Sequence, residues 1–180
     1  MAEYLYETKI PKERIAVLIG KEGETKKQIE SETKVKLRIN SKEGDVFIEG
    51  SDAIGLYSSR EVVKAIGRGF NPEIALLLLK QDYTLDLMNV NDFVKSKKQE
   101  LRLKGRVIGA EGRCRKTIEE LTETFICVYG KTIGIIGVAD NVANARRAIE
   151  SLLNGSPHSS VYKWLEKRRR ESKTRHFESI

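Results

Sequence analysis

One short stretch occurs twice in this chain and decides its fold. It is Leu18-Ile19-Gly20-Lys21-Glu22-Gly23, and it returns 89 residues later as Val107-Ile108-Gly109-Ala110-Glu111-Gly112. At the same offset, the identical pairs are Ile19 and Ile108, Gly20 and Gly109, Glu22 and Glu111, Gly23 and Gly112, Lys27 and Lys116, Ile29 and Ile118, Glu30 and Glu119, and Thr33 and Thr122. A match that extends this far beyond two glycines indicates a repeated module.

Each copy lies between two amphipathic segments with helical spacing, which in the first copy are residues 12–19 and 24–32. Two glycines three residues apart permit a tight turn that has no β-carbon between the chain and a ligand. A helix begins directly after each turn, so its free N–H groups and its positive dipole end lie there. We therefore expect each turn to accept a phosphate.

The flanks of the first copy complete a small module. Residues 4–10 alternate as a strand does and end at Pro11, and residues 35–39 and 46–49 indicate two strands around a turn-rich loop. A long helix then follows Asp52, and we expect it to turn five side chains toward the core: Ile54, Tyr57, Val62, Ala65 and Ile66. The predicted order is β-α-α-β-β-α.

The second copy repeats this order. Residues 83–90 alternate as its first strand, residues 125–128 and 133–136 give two more strands, and residues 140–153 form the closing helix. The loop between the last two strands is predicted to be two residues shorter than in the first copy, because the offset between the copies falls from 89 to 87 there.

The turn between helices, followed by strand, loop and strand, resembles the type I KH module of RNA-binding proteins, whose turn holds four backbone nucleotides. The predicted fold class is α+β, with two tandem type I KH domains, each a three-stranded antiparallel sheet packed on three helices, and a basic helical C-terminal tail. The predicted parts are a first KH domain, a connecting helix or linker, a second KH domain and the tail, at residues 1–70, 71–82, 83–155 and 156–180.

The charge of the chain indicates a polyanionic partner. Its 180 residues contain 33 Lys and Arg against 26 Asp and Glu, a net charge of +7. Residues 1–82 hold 14 basic and 14 acidic side chains, and residues 83–180 hold 19 and 12, so the second half carries the excess. We interpret that half as the main nucleic-acid surface; the alternative is an ordinary solvated basic face. The tail contributes Lys163, Lys167, Arg168, Arg169, Arg170, Lys173 and Arg175, either as a further phosphate contact or as a solubilising terminus.

The sequence gives no support for several other classes of protein: disulfide-linked proteins, metalloproteins, membrane proteins and enzymes. The two cysteines, Cys114 and Cys127, have no partner at metal-ligand spacing, so we predict neither a disulfide, a metal site nor a cofactor. The longest apolar run, residues 74–79, is too short for a membrane span, and we expect a cytoplasmic protein. The segment from Gly20 to Thr25 does not have the order of a P-loop, and no nucleophile motif stands beside either histidine, so we predict no enzyme. We also expect a monomer.

The KH resemblance implies which residues contact RNA. In the second copy the RNA-binding residues it implies are Arg106, Ile108, Gly109, Ala110, Glu111, Gly112, Arg113, Arg115, Lys116, Ile126 and Val128. In the first copy they are Gly20, Lys21, Glu22, Gly23, Lys26, Lys27, Leu37 and Arg38. Backbone N–H groups and basic side chains hold phosphates in such a groove, and apolar side chains form a floor for unstacked bases.

Both turns depart from the common KH pattern because each contains an acidic residue, Glu22 or Glu111. An acid that faces phosphate weakens binding, so either these side chains point outward or one copy does not bind RNA. Given the charge difference between the halves, we expect the first copy to be the weaker RNA binder and to serve a protein partner.

The order of the modules, the segment from Ala65 to Leu79 and the basic tail together resemble one family. It comprises the archaeal relatives of the eukaryotic small-subunit assembly factor called partner of Nob one, related to the KRR-motif processome proteins. The resemblance implies a single-stranded RNA-binding protein that acts near the 3′ end of 16S rRNA in pre-rRNA processing and small-ribosomal-subunit assembly. It further implies an rRNA-trimming endonuclease, an rRNA dimethylase and the alpha subunit of translation initiation factor two as partners.

Two alternatives remain at this point. One is a KH-fold protein-interaction adaptor, which the acidic residues in the turns favour and the basic second half opposes. The other is a KH RNA-binding component of an RNA-degrading or translation-initiation complex.

Overall fold

The computed structural model describes residues 4–179, and the chain divides into two compact units between Leu85 and Asp86. Residues 1–3 and 180, which the predicted first domain and tail include, lie outside the described residues. The strands are β1 (Tyr4–Lys9), β2 (Lys36–Asn40), β3 (Asp45–Gly50), β4 (Tyr83–Asn89), β5 (Phe125–Tyr129) and β6 (Thr132–Val138). The helices are α1 (Lys12–Ile19), α2 (Glu24–Thr33), α3 (Ala53–Gly67), α4 (Pro72–Ala75), α5 (Lys97–Ile108), α6 (Arg113–Thr122), α7 (Ala139–Leu153) and α8 (His158–Glu178). Short 3₁₀ segments occupy Lys21–Gly23, Leu76–Leu79, Val90–Phe93 and Ala110–Gly112.

Each unit contains a three-stranded sheet whose middle strand is the last of the three in sequence. The orders are β1-β3-β2 and β4-β6-β5, and β3 pairs antiparallel with both of its neighbours. Helices α1, α2 and α3 belong to the same compact unit as the first sheet, and helices α5, α6 and α7 belong to the same unit as the second sheet. The predicted fold class, two α+β modules of the order β-α-α-β-β-α with a helical tail, is confirmed.

Two of the repeated polar residues have the same structural task in both units. A carboxylate oxygen of Glu30 accepts a hydrogen bond from Leu37 N at 2.7 Å, and Glu119 accepts one from Ile126 N at 2.8 Å. Each glutamate therefore joins the second helix of its module to the strand that follows, because it satisfies a backbone donor of that strand. The repeat at these positions reflects folding and not ligand contact.

The core prediction for α3 is wrong at two of its five residues. Val62, Ala65 and Ile66 are fully buried, but Ile54 is 76% exposed and Tyr57 is 61% exposed. The first turns of the helix instead pack through the buried residues Gly55 and Ser59. A β-carbon at residue 55 would overlap the carbonyl group of Thr33, so a small residue is required at this contact. Apolar spacing alone could not reveal that the buried face begins with small residues, whereas Ile54 and Tyr57 remain on the surface.

The core of the second unit includes part of the tail. Val161 and Leu165 of α8 are 3% and 1% exposed and belong to the same cluster as Ile118, Ile135 and Ile149. The start of the tail is therefore docked on the core of the second unit. After Leu165 the helix has mainly exposed side chains, so its basic residues lie at the surface.

The loop between the last two strands is shorter in the second unit, as the change of offset predicted. Residues 41–44 connect β2 to β3, whereas residues 130–131 connect β5 to β6. Within residues 4–179, no helix combines the length and apolar character that a membrane crossing needs. The same residues contain no cluster of three or more His, Cys, Asp or Glu side chains that could hold a metal ion.

Candidate nucleic-acid interface

The two Gly-x-x-Gly turns have nearly the same backbone conformation. In each, the first glycine, the acidic residue and the second glycine all have positive φ. The φ angles are 75° at Gly20, 54° at Glu22 and 76° at Gly23, against 74° at Gly109, 54° at Glu111 and 73° at Gly112. A non-glycine residue in this left-handed region is strained, and both copies retain that strain at the same position. The turns are therefore built to one shape.

The two glycines of a turn have different tasks. A β-carbon added at Gly109 would lie 2.7 Å from both Cβ and N of Cys114, so this glycine permits close packing of the turn on the start of α6. A β-carbon at Gly112 would meet no atom of residues 4–179 within 4 Å. The backbone at Gly112 is thus open to solvent at the N-terminus of α6, where a phosphate group can approach it.

The acidic residue of the second turn has a cationic neighbour. Glu111 and Arg113 are both exposed, with a carboxylate-to-guanidinium distance of 3.5 Å. Such an exposed pair adds little stability, but it places a positive charge beside the acid. In the first copy Glu24 takes the position of Arg113 in the repeat, so Glu22 is followed by a second acid. The local charge therefore favours phosphate more in the second copy.

The cations after the second turn are arranged around it. Arg113 and Lys116 are exposed, and Arg115 is half-buried. The Nε atom of Arg115 is buried and has no hydrogen-bond partner among the described residues. A buried donor without an acceptor costs free energy, so an acceptor that reaches this guanidinium would be stabilised there.

The first turn offers fewer available charges. Lys21 is exposed at the tip, but Lys27 Nζ donates to the carbonyl oxygen of Glu22 at 3.4 Å, and Lys26 lies 4.0 Å from the carboxylate of Glu30. Two of its three predicted cations thus already have partners within the domain.

The predicted floor residues lie at different depths. Ile126 and Leu37 are 3% and 1% exposed, so they belong to the cores of their units and support a floor from below. Ile108 and Val128 are half-buried and can present apolar surface. The accessible part of the floor in the second unit is therefore smaller than the sequence indicated.

Arg106 and Arg38 are engaged away from the turns. The guanidinium of Arg106 donates to the carbonyl oxygens of Leu152 and Ser156 at 3.2 and 2.6 Å, where it satisfies the end of α7. Arg38 forms an ion pair with Glu49, and its position in β2 alternates with the buried Leu37. It therefore lies on the face of the sheet that is turned away from the helices. RNA contact by these two arginines remains a prediction that the observed contacts do not favour.

Lys104 is a feature that the sequence did not reveal as part of the site. Its Nζ atom donates to the carbonyl oxygen of Gly130 at 2.9 Å and lies 3.0 Å from the carboxylate of Glu100. It joins α5 to the short loop between β5 and β6, so it fixes the loop relative to the helix that leads into the turn. Lys104 and Gly130 are 26 residues apart, so the local sequence pattern could not indicate this contact.

The start of α8 reaches the helix that follows the second turn. Cys114, the second residue of α6, is buried and shares a side-chain hydrogen bond with Tyr162. Burial raises the pKa of the Cys114 thiol, while Tyr162 and the charge of Arg106 lower it in part. Burial likewise raises the pKa of Tyr162 to about 12. Both groups therefore stay protonated at neutral pH, and α8 is anchored beside the turn.

The raised pKa of Cys114 leads to a testable difference between the two thiols. At pH 8 we expect iodoacetamide to alkylate the half-buried Cys127 quickly and Cys114 at least about tenfold more slowly, because only the thiolate reacts. Mass spectrometry of timed samples measures both rates, and Cys127→Ser isolates Cys114. Urea should make Cys114 fully reactive. Equal native rates for the two thiols would contradict the buried position of Cys114.

Comparison with known proteins identifies a KH domain in each half of the chain. The model of the eukaryotic type KH domain, KH domain type I, matches residues 84–170, and the KH domain model matches residues 6–68. The first match extends through the docked part of α8, which is therefore shared with the family.

Two relatives and one solved structure cover most of the chain. A KH domain-containing protein of Methanocaldococcus jannaschii is 47% identical over 94% of this chain and 76% of its own length. The RNA-binding protein pno1 of Dictyostelium discoideum is 32% identical over 89% of this chain and 70% of its own. The aDim2p chain in the a/eIF2alpha-aDim2p-rRNA complex from Pyrococcus horikoshii has a TM-score of 0.88 and 44% identity, over 94% of this chain and 96% of that chain. This protein belongs to the pno1 family of RNA-binding proteins with two KH domains.

Proposed function

We propose that this chain binds single-stranded RNA at the 3′ end of small-subunit rRNA and acts in pre-rRNA processing and assembly of the small ribosomal subunit. The observation that carries the proposal is the second turn. The backbone of Gly112 is open at the start of α6, and Arg113, Arg115 and Lys116 follow it. The relative from Pyrococcus horikoshii in complex with rRNA supports the choice of ligand.

The roles of the two domains follow from their charges. The second domain, residues 83–155, with the tail, residues 156–180, holds the RNA. The first domain, residues 1–70, contributes less to that contact and is available to a protein. The rRNA complex of the Pyrococcus horikoshii relative also contains a/eIF2alpha, which supports the alpha subunit of translation initiation factor two as a partner here. The trimming endonuclease and the dimethylase remain partners that the family resemblance implies. The chain acts in this scheme as a binding protein in the cytoplasm and not as a catalyst.

A substitution at Ala110 tests the second turn without disturbing its glycines. Ala110 is exposed and does not have positive φ, so Ala110→Asp adds a carboxylate to the tip at little cost in folding. We expect it to weaken the Kd for a 3′-end rRNA oligonucleotide about tenfold, or about 1.4 kcal/mol, because the added charge repels phosphate. Ala110→Asn has nearly the same shape without the charge, and we expect it to change the Kd less than about twofold.

The experiment is a titration of labelled 3′-end RNA and of a scrambled RNA at two salt concentrations. Lys21→Glu and Lys21→Gln form the matching pair in the first turn, where we expect a smaller loss. Selective binding that Ala110→Asp weakens and Ala110→Asn retains would support the proposal. Salt-sensitive binding that is blind to sequence and unchanged in all four variants would leave the tail as the only RNA contact, and the adaptor function would then replace this one.

A further inference from the structure

A basic cleft lies between β1 and α3 of the first unit, apart from the Gly-x-x-Gly turn. Its volume is about 190 Å³, and its lining includes four cationic side chains: Lys9, Arg60, Lys64 and Arg68. The sheet order places β1 at the edge opposite β2, so the cleft lies at the other edge of the sheet from the predicted RNA groove.

Arg60 is the central side chain of this cleft. Its guanidinium carbon lies 4.4 Å from the centre of the Tyr6 ring, in a cation–π contact. Its Nε atom is buried and has no hydrogen-bond partner among the described residues. The guanidinium therefore has an aromatic support but lacks the acceptor that a buried donor requires.

The second unit contains the same arginine in a closed site. Arg60 is the eighth residue of α3 and Arg146 is the eighth residue of α7, and the two helices both have 15 residues. Arg146 Nη1 donates to the two carboxylate oxygens of Asp86 at 2.7 and 2.9 Å, and its Nε donates to Glu150 at 2.9 Å. These contacts raise the pKa of Arg146, Asp86 being the largest cause. The second unit thus satisfies its arginine internally.

The first unit replaces both acids. Glu150 follows Arg146 by four residues, and the corresponding position after Arg60 is Lys64. Val90 and Ile10 occupy equivalent positions, because the N–H of each donates to the loop between the other two strands of its unit. Asp86 lies four residues before Val90, and Tyr6 lies four residues before Ile10. Tyr6 is therefore the residue of the first unit that corresponds to Asp86.

The charge of the cleft changes accordingly. The formal charge of the three positions is −1 in the second unit, from Asp86, Arg146 and Glu150, and +2 in the first, where a tyrosine and a lysine replace the acids. Arg68 adds further positive charge at a position that is asparagine in the second unit. Lys9 also replaces an asparagine, but its Nζ lies 3.7 Å from the carboxylate of Asp45, so the charge of the cleft comes mainly from Arg60, Lys64 and Arg68. The cleft of the first unit is therefore suited to an anionic ligand.

Aromatic surface adjoins this charge. Arg60 also lines a neighbouring cleft of about 180 Å³ together with Tyr4, Tyr6 and Tyr57. Tyr57 is 61% exposed and Tyr4 is 53% exposed. Cations beside open aromatic rings are the combination that binds single-stranded nucleic acid, since phosphates need charge and unstacked bases need rings.

We propose that this cleft is a second RNA site, in which Arg60 and Lys64 hold a phosphate and Tyr57 stacks on an adjacent base. The proposal rests on the RNA-binding function proposed above and adds a second RNA contact, at the β1 edge of the first domain's own sheet. An acidic protein segment would use the cations but would leave the open tyrosine rings without the flat partners that bases supply. RNA therefore accounts for both parts of the surface.

The test uses the full chain, with an oligouridylate of about 20 nucleotides as the probe and backbone amide chemical shifts as the readout. Ala110→Asp/Lys21→Glu provides a background in which both turns are weakened. In that background, Lys64→Glu gives the first unit the acid that the second has at Glu150, and its i,i+4 spacing from Arg60 lets the two side chains pair. Lys36→Glu is the matched control, because Lys36 is an exposed lysine of the same domain on the helix-free face of the sheet.

We expect the probe to shift the amides of residues 6, 57, 60 and 64 in the background protein. Lys64→Glu and Tyr57→Ala should each weaken this binding at least about fivefold, and Lys36→Glu should weaken it less than about twofold. Equal losses from Lys64→Glu and Lys36→Glu would overturn the proposal, because binding would then follow net charge alone. Absence of shifts at these four amides would also overturn the proposal. If a polyglutamate peptide shifted these amides and oligouridylate did not, the cleft would instead be assigned to an acidic protein segment.

The two proposals fail separately. If Ala110→Asp leaves binding of the 3′-end RNA unchanged in the otherwise native chain while Lys64→Glu weakens it, the turn is not the main RNA site and the cleft is. If Ala110→Asp weakens binding and the cleft amides never shift, the proposed function stands and the second site is excluded.

Discussion

Gly109→Ala should destabilise the second unit by about 3 kcal/mol or more. The new β-carbon would lie 2.7 Å from Cys114 Cβ and N, so the first turn of α6 would have to move. Overpacking of this kind costs about 1–3 kcal/mol. The backbone at Gly109, with φ 74° and ψ 173°, lies in a region that only glycine occupies readily, and a side chain there costs about another 1–3 kcal/mol.

Gly112→Ala is the matched control, because the same change occurs three residues away in open space. We expect a loss of only about 1–2 kcal/mol from its left-handed backbone. Trp164 is the single tryptophan of the chain and lies in α8, so its fluorescence during urea unfolding reports on the second unit alone. Equal shifts of the urea midpoint for the two variants would contradict the separate tasks assigned to the two glycines.

The difference between these glycines shows what the sequence could and could not predict. Both were predicted correctly as turn residues, because two glycines between helical segments are a local signal. Whether a β-carbon has room depends on how closely the turn lies against Cys114 in the second unit and Thr25 in the first. That distance is a property of the folded module and has no counterpart in residue spacing.

Side chains with long-range partners were the least predictable. Arg106 follows the pattern of a phosphate-binding residue, but Leu152 and Ser156, its partners, lie 46 and 50 residues later. Arg14 makes the same kind of contact to Ile66 and Phe70 in the first unit. An arginine near the turn therefore completes the end of the last helix in each module, and nothing in the local sequence separates this task from RNA contact.

The correspondence of Arg60 with Arg146 was hidden because the offset between the copies changes along the chain. It is 89 residues at the turns, 86 at the last helices and 80 at the ends of the first strands, where Ile10 corresponds to Val90. The offset of the turns would place Arg60 against Ile149, which is a buried core residue. Only the shared helix length and the strand contacts identify Tyr6 and Lys64 as the positions of the missing acids.

Leu165→Ala should destabilise the second unit by about 2–5 kcal/mol. Leu165 is 1% exposed, and truncation of a buried leucine removes apolar contacts and leaves a cavity. The substituted side chain belongs to α8, which contacts α6, directly after the proposed RNA-binding turn, through Tyr162 and Cys114. The substitution should therefore loosen α8 as well as lower the free energy of unfolding. Trp164 fluorescence measures the unfolding, and amide hydrogen exchange over residues 158–165 measures the loosening of the helix.

The same variant separates two roles of the tail. Docking through Leu165 is expected to hold the exposed cations of α8 in position against RNA. If it does, loosening of α8 in Leu165→Ala should reduce the slope of the logarithm of the RNA association constant against the logarithm of the salt concentration. The reduction should be about 0.7 for each phosphate that these cations no longer neutralise. Leu101→Ala is the control, because Leu101 is 61% exposed in α5 and the same truncation there removes little buried surface. A fully folded Leu165→Ala protein with an unchanged salt slope would show that the cations of α8 act as a solubilising terminus, since their position would then have no effect on RNA binding.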